Sequence, residues 1–175
     1  MLSKKKLNEN IKDRFQRIDP LYFEEVVADL FESKGFKVKL TSRSKDFGAD
    51  FIAWKNGEKI ACQVKRYHKN NKVGVKDLNQ VLGAKDYYNC NKAMLITTSS
   101  LTYNAWELAN NVDNLWVWEW EELNENFKKC YFNNPKKRKK RKIKKILKEI
   151  TSSLWHLLCF VVLAITEFML ERNKR

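Results

Sequence analysis

Two runs of sequence, Gly48-Ala49-Asp50-Phe51-Ile52-Ala53-Trp54 and Lys59-Ile60-Ala61-Cys62-Gln63-Val64-Lys65-Arg66, flank the short turn Lys55-Asn56-Gly57-Glu58. An acid opens the first apolar run, and a polar-x-Lys pair closes the second. Side chains on a strand alternate between faces, so Gln63 and Lys65 point one way while Cys62 and Val64 point the other. If the runs form a hairpin, its free end brings Asp50 beside that pair. A carboxylate, an amide oxygen and an ammonium converging on one spot suit a hard cation and a phosphodiester.

Working outward, Leu7, Ile11, Phe15 and Ile18 recur at helical spacing and predict an amphipathic helix over residues 4–18. Asp19-Pro20 restarts the chain as an N-cap and a first helical position. The helix that follows buries Phe23, Val26, Val27, Leu30 and Phe31 and stops near Lys34, before Gly35. Residues 36–40 alternate apolar with Lys and read as a strand. Beyond the hairpin and the basic loop 67–72, residues 74–89 form a helix with Leu78, Val81, Leu82 and Ala84 inward. Residues 93–96 form a buried strand, 102–112 a helix, and 115–118 a last strand. The order predicts an α/β fold, a mixed sheet with helices on both faces.

Composition sets limits on what charge can say. The net charge is +14, but residues 133–175 hold 13 Lys/Arg against Glu149, Glu167 and Glu171. Residues 1–132 carry 22 basic and 18 acidic side chains, a net of only +4. Whole-chain charge is therefore no argument for nucleic-acid binding. Cys62, Cys90, Cys130 and Cys159 are widely separated, with no C-x-x-C pair, which excludes a zinc ribbon or disulfide scaffold and fits a reducing cytoplasm. The basic, polar start has no apolar run behind it, so no secretory signal is expected.

An Asp before a Gln-x-Lys pair is a short pattern that matches often by chance, and a turn residue beside a solvated strand face would explain it. Its surroundings add weight. The loop before Asp50 holds the small and polar Ser42, Ser44, Asp46 and Gly48, basic Arg66, Lys69 and Lys72 follow the pair, and an upstream helix supplies Glu24 and Glu25. Phe23-Glu24, Gly35-Phe36, Gly48-Ala49-Asp50, Gln63-Val64-Lys65-Arg66 and Leu95-Ile96-Thr97-Thr98-Ser99 occur in that order. Over residues 19–120 this resembles the catalytic domain of Mrr-type restriction endonucleases, a branch of the PD-(D/E)xK nucleases. The resemblance implies a restriction-endonuclease-like fold and Mg²⁺-dependent cleavage of DNA phosphodiesters. Gln commonly replaces the motif acid in this branch, so Gln63 is the family's own variant. The motif Asp falls on Asp50, the Lys on Lys65 and the helix Glu on Glu24. Asp50 would then bind Mg²⁺ directly, Gln63 would offer a neutral amide oxygen, and Glu24 would complete the shell through water. Lys65 would position or help deprotonate the attacking water and offset charge on the phosphate. Glu25 competes with Glu24, and Asp46 could approach the site, although a loop Asp is more often a turn former.

Other candidates have ordinary explanations beside functional ones. Gln80 and Lys85 read better as solvated helix residues than as site or DNA contacts. Thr97, Thr98 and Ser99 suit phosphate donation and helix capping equally. His68 stands without a partner. Trp116, Trp118 and Trp120 alternate as though on one strand face, where packing outweighs base stacking.

The chain divides into an N-terminal helix (1–18), a nuclease-like domain (19–132), a polybasic linker (133–150) and a C-terminal apolar segment (151–175). Leu154 to Leu170 is 17 residues, about 25 Å as a helix against a hydrocarbon core of about 30 Å. With Trp155 at one end and a Lys/Arg cluster before it, this predicts a transmembrane helix that keeps the nuclease domain at the inner face of the cell membrane, a buried packing helix being the alternative. Expected partners are DNA, the membrane and, because a double-strand break takes two active sites, a second copy in a homodimer. Three functions follow: a Mg²⁺-dependent restriction endonuclease, a structure-selective nuclease of the junction type, or a catalytically weak, membrane-tethered DNA-binding protein.

Overall fold

The computed structural model describes residues 2–42 and 47–132. The polybasic linker, the apolar C-terminal segment with Trp155 and Cys159, for which a transmembrane helix is expected, and the loop residues Ser44 and Asp46 lie outside the described residues.

The first helix, α1 (Lys4–Lys12), begins where the Ser3 hydroxyl accepts from the Lys6 N–H at 3.3 Å. It ends sooner than the apolar spacing predicts. The Arg14 N–H donates to the Ile11 carbonyl (3.2 Å) and the Phe15 N–H to that of Asn10 (2.6 Å), a Schellman-type end with Arg14 at φ 55° and Phe15 at φ 59°. Leu7, Ile11 and Phe15 are nevertheless all buried. The spacing marks one apolar stripe that continues past the helix end.

Helix α2 (Pro20–Ser33) follows the expected design. Asp19 Oδ1 accepts from the Tyr22 N–H at 3.1 Å, and Gly35 ends the helix at φ 86°. A second Schellman end forms here, with Gly35 donating to Glu32 and Phe36 to Phe31. The Phe31 and Phe36 rings meet at 5.2 Å, the apolar contact that accompanies this motif.

Strands β1 (Lys37–Leu40), β2 (Phe51–Lys55) and β3 (Glu58–Lys65) run antiparallel. Asn56 and Gly57, at φ 52° and 82°, form the two-residue hairpin loop whose twist matches its strands. Helix α3 (Val75–Tyr87) crosses to β4 (Lys92–Thr97), parallel to β3, and α4 (Tyr103–Asn111) crosses to β5 (Leu115–Trp118), parallel to β4. The sheet is mixed, as expected, and its five strands stand in chain order.

Alternation divides the core between the two faces. Phe51, Ala53, Ile60, Cys62, Val64, Met94 and Ile96 pack with residues of α1, α2 and a further helix, α5 (Trp120–Phe127). Ala93, Leu95 and Leu115 pack with α3 and α4 on the other face. Helix α5 corrects the expectation that Trp116, Trp118 and Trp120 share a strand face. The strand stops at Trp118, and Trp120 opens a helix that buries Trp120, Leu123 and Phe127 at spacings of three and four. Two acids in its first turn, Glu121 and Glu122, suit the positive helix end. Trp116 is the exposed member of the trio and lies under the Lys92 ammonium, 3.8 Å from the ring centroid.

Candidate active site

The hairpin register places Phe51 against Cys62, so Asp50 stands opposite Gln63 at the open end of β2 and β3. The Asp50 N–H donates to the Cys62 carbonyl at 2.8 Å, which extends the ladder by one rung. Its carboxylate Oδ2 accepts from the Val64 N–H at 2.6 Å, at the peptide between Gln63 and Lys65. Asp50, Gln63 and Lys65 are thus brought together, as strand parity predicts.

Cys62 and Val64 face the α1, α2 and α5 side, which leaves Gln63 and Lys65 facing α3. Gln63 is 5 % exposed. Its Nε2 donates to Gln80 Oε1 on α3 at 3.4 Å, and its Oε1 is buried without a hydrogen-bond partner. Lys65 Nζ reaches the same Gln80 oxygen at 3.3 Å and lies 3.9 Å from Asp77 Oδ1, one turn earlier on α3. Gln80 is exposed, as a solvated helix residue would be, but it bridges the two site side chains rather than standing clear of them.

Two residues that sequence reasoning passed over complete this wall. Asp77 caps its own helix by accepting from the Gly74 N–H at 3.0 Å, and it also accepts from the Tyr67 hydroxyl at 2.9 Å. Burial, that hydrogen bond and the Asp77 charge push the Tyr67 phenol up to about 12. An acid three residues after a capping Gly was a legible helix-start signal; its second role toward Lys65 and Tyr67 was not.

Thr97, Thr98 and Ser99 do neither of the two things expected of them. They are fully buried, and their hydroxyls donate to the carbonyls of Lys65 (2.9 Å), Tyr67 (2.7 Å) and Lys69 (3.3 Å). They stitch the end of β4 to the segment leaving β3, which fixes the backbone that carries Lys65. Thr102 caps α4 instead, accepting from the Ala105 N–H. Lys85 pairs with its neighbour Asp86 at 2.7 Å.

Glu24 and Glu25 are half-buried on α2, which covers the opposite face of the sheet. No group of three or more His, Cys, Asp and Glu side chains gathers around a cation position among the described residues. The oxygen donors that this end of the sheet offers, at opposed positions of the hairpin, are the Asp50 carboxylate and the buried Gln63 oxygen. Both are hard oxygen ligands, and an amide oxygen buried with no partner is what a resident cation would satisfy. The residues present therefore fit a divalent metal. On the far side of β3, burial first, then Cys90 and Asp50, raise the Cys62 thiol well above its usual range, so it stays neutral and inert.

A five-stranded mixed sheet with helices on both faces is the architecture of restriction endonucleases, and solved structures share it. The DNA modification-dependent restriction endonuclease AspBHI is similar at TM-score 0.58 and 21% identity, over 85% of this chain and 40% of that one. The MspJI restriction endonuclease in complex with a 27-mer oligonucleotide gives 0.50 and 15%, over 73% of this chain and 32% of that one. A protein of unknown function, AF1548, gives 0.52 and 17%, over 59% of each chain. This chain thus spans less than two thirds of the length of each of these structures. No curated protein matches it in sequence. Residues 15–127 match the Mrr catalytic domain, described as a restriction endonuclease, and the chain belongs to that family.

Proposed function

We propose that the chain is a metal-dependent DNA endonuclease that hydrolyses phosphodiester bonds in the restriction of foreign DNA. The observation that carries this reading is the buried, unpartnered Gln63 Oε1 on a strand whose neighbouring residues hold the Asp50 carboxylate, at the Val64 N–H, and carry the Lys65 ammonium. Asp50 and Gln63 would hold Mg²⁺; because α2 lies on the other face of the sheet, Glu24, with Glu25 as its competitor, would join only through water around the open end of β2 and β3. When bound, the cation polarises the phosphate and lowers the pKa of a water molecule. Lys65, held from α3 by Gln80 and Asp77, faces the negative charge that builds on the phosphate and orients the attacking water. Family membership supports the reaction class.

The deciding experiment is a cleavage panel with the full-length protein on unmodified, modified and branched DNA, with Mg²⁺ and with chelator. Metal-dependent cutting of linear DNA is the expected result. Cutting confined to branched DNA would make the protein a junction-type nuclease. Salt-sensitive binding with no cutting on any substrate would make it a DNA-binding protein. For the segment beyond residue 150 we propose a membrane anchor; recovery of the full-length protein in the soluble fraction without detergent would refute it.

A further inference from the structure

We infer that Gln80 is a positioning residue that selects which face of the Gln63 amide meets the metal. The inference rests on the metal-site reading above. A carboxylate presents oxygen whichever way it turns, but an amide has a donating and an accepting end, and only the accepting end can ligate a cation. The strand position that carries Gln63 therefore needs something to fix the flip. Gln80 Oε1 accepts from Gln63 Nε2 at 3.4 Å. Turning the Gln63 amide over would set two carbonyl oxygens against each other at that separation. In the arrangement observed, Gln63 Oε1 is directed away from Gln80, buried and without a partner.

The same Gln80 oxygen accepts from Lys65 Nζ at 3.3 Å, so a single acceptor on α3 orders both members of the Gln-x-Lys pair. The backbone of this residue serves the third member. A Cβ on Gly48 would fall 2.6 Å from the Gln80 carbonyl oxygen, so the loop that delivers Asp50 rests directly on this turn of α3. One residue thereby meets Gln63, Lys65 and the loop that delivers Asp50. Asp77 assists from one turn earlier, but it touches only Lys65 of the three.

The test is Mn²⁺ binding by calorimetry to the full-length protein without DNA, in the wild type, Gln80→Leu, Gln80→Glu, Gln63→Glu and the double variant Gln63→Glu/Gln80→Leu. Partners of a metal ligand typically change affinity by 10–100-fold, so Gln80→Leu should weaken Mn²⁺ by about tenfold. Gln80→Glu keeps an acceptor toward Gln63 and should bind Mn²⁺ at least as tightly as the wild type. With a carboxylate at position 63 there is no wrong face to exclude, so adding Gln80→Leu to Gln63→Glu should leave the affinity unchanged. Should Gln80→Leu fail to fold, the isosteric Gln80→Met, which also lacks the acceptor, takes its place. Equal Mn²⁺ affinity in the wild type and Gln80→Leu would overturn the inference and leave the metal site standing. An equal loss in both position-63 backgrounds would also overturn it, because that loss would be merely structural. A wild type that binds no Mn²⁺ would bring down both the metal-site reading and the inference.

Discussion

A Cβ on Gly48 would lie 2.6 Å from the Gln80 carbonyl oxygen, and Gly48 has φ 89°, a conformation that other residues enter only with strain. Gly35 has nearly the same φ, 86°, but nothing within 4 Å. Gly35→Ala should therefore cost about 1 kcal/mol in denaturant unfolding. Gly48→Ala should cost more, roughly 2–3 kcal/mol, because the backbone atom it meets cannot move aside. Similar losses for the two would mean that the loop does not rest on α3. Tyr67 gives a pH-dependent test. Its phenol is raised from 10.0 to about 12, so the folded state holds its proton more tightly than the unfolded state does. That stabilisation is fully present below about pH 10 and is lost as pH climbs toward about 12. Over this window the thermal midpoint of the wild type should fall more steeply than that of Tyr67→Phe. Parallel curves would contradict the raised phenol, which burial causes first and Asp77 second. Asp50, Gln63 and Lys65 were legible in the sequence because strand parity is rigid. Asp77 was not, and Gln80 was read as solvated rather than as a site contact, because periodicity says which face of a helix is wet but not which polar residue on that face meets a neighbouring strand.

Among the elements, α2 shows how far local chemistry carries. Its N-cap, first-turn Pro and terminal Gly could all be read in advance, and all three are in place. Asp19→Ala should lower stability by about 1 kcal/mol, measurable in chemical unfolding, through loss of the bond to the Tyr22 N–H. No change would mean that the cap is idle in solution. Helix α1 shows where such reading stops. Leu7, Ile11 and Phe15 keep helical spacing, but the backbone leaves the helix at Asp13 and turns left-handed through Arg14 and Phe15. What rewards this is tertiary: the Phe15 ring lies 4.9 Å from Phe23 and 5.1 Å from Phe127. Phe15→Ala should accordingly cost about 3–5 kcal/mol, enough to register as a large drop in the unfolding midpoint. The signal for α5 was present at 120, 123 and 127, but three alternating tryptophans give the same residues a strand-like period, and packing against Phe15 decides in favour of the helix.

At the scale of the molecule, the sheet brings one end of β2 and β3 against α3, and the charge of the described region plays a minor part. With 22 basic and 18 acidic residues in 1–132, the bulk charge of this region is no argument for DNA binding, and the proposed activity rests on the local constellation. A mixed sheet with helices on both faces followed from the element order, since antiparallel hairpins and crossover helices leave few alternatives, whereas the strand order emerged only with the structure. The central claim is that Asp50, Gln63 and Lys65 form a metal-dependent phosphodiesterase site. Its most direct test is the Mg²⁺-dependent cleavage rate of Asp50→Ala and Lys65→Ala against the wild type on a DNA that the wild type cuts. Each substitution should lower the rate by about two to three orders of magnitude while the protein stays folded. Cleavage by Asp50→Ala at the wild-type rate and the wild-type Mg²⁺ dependence would contradict the account.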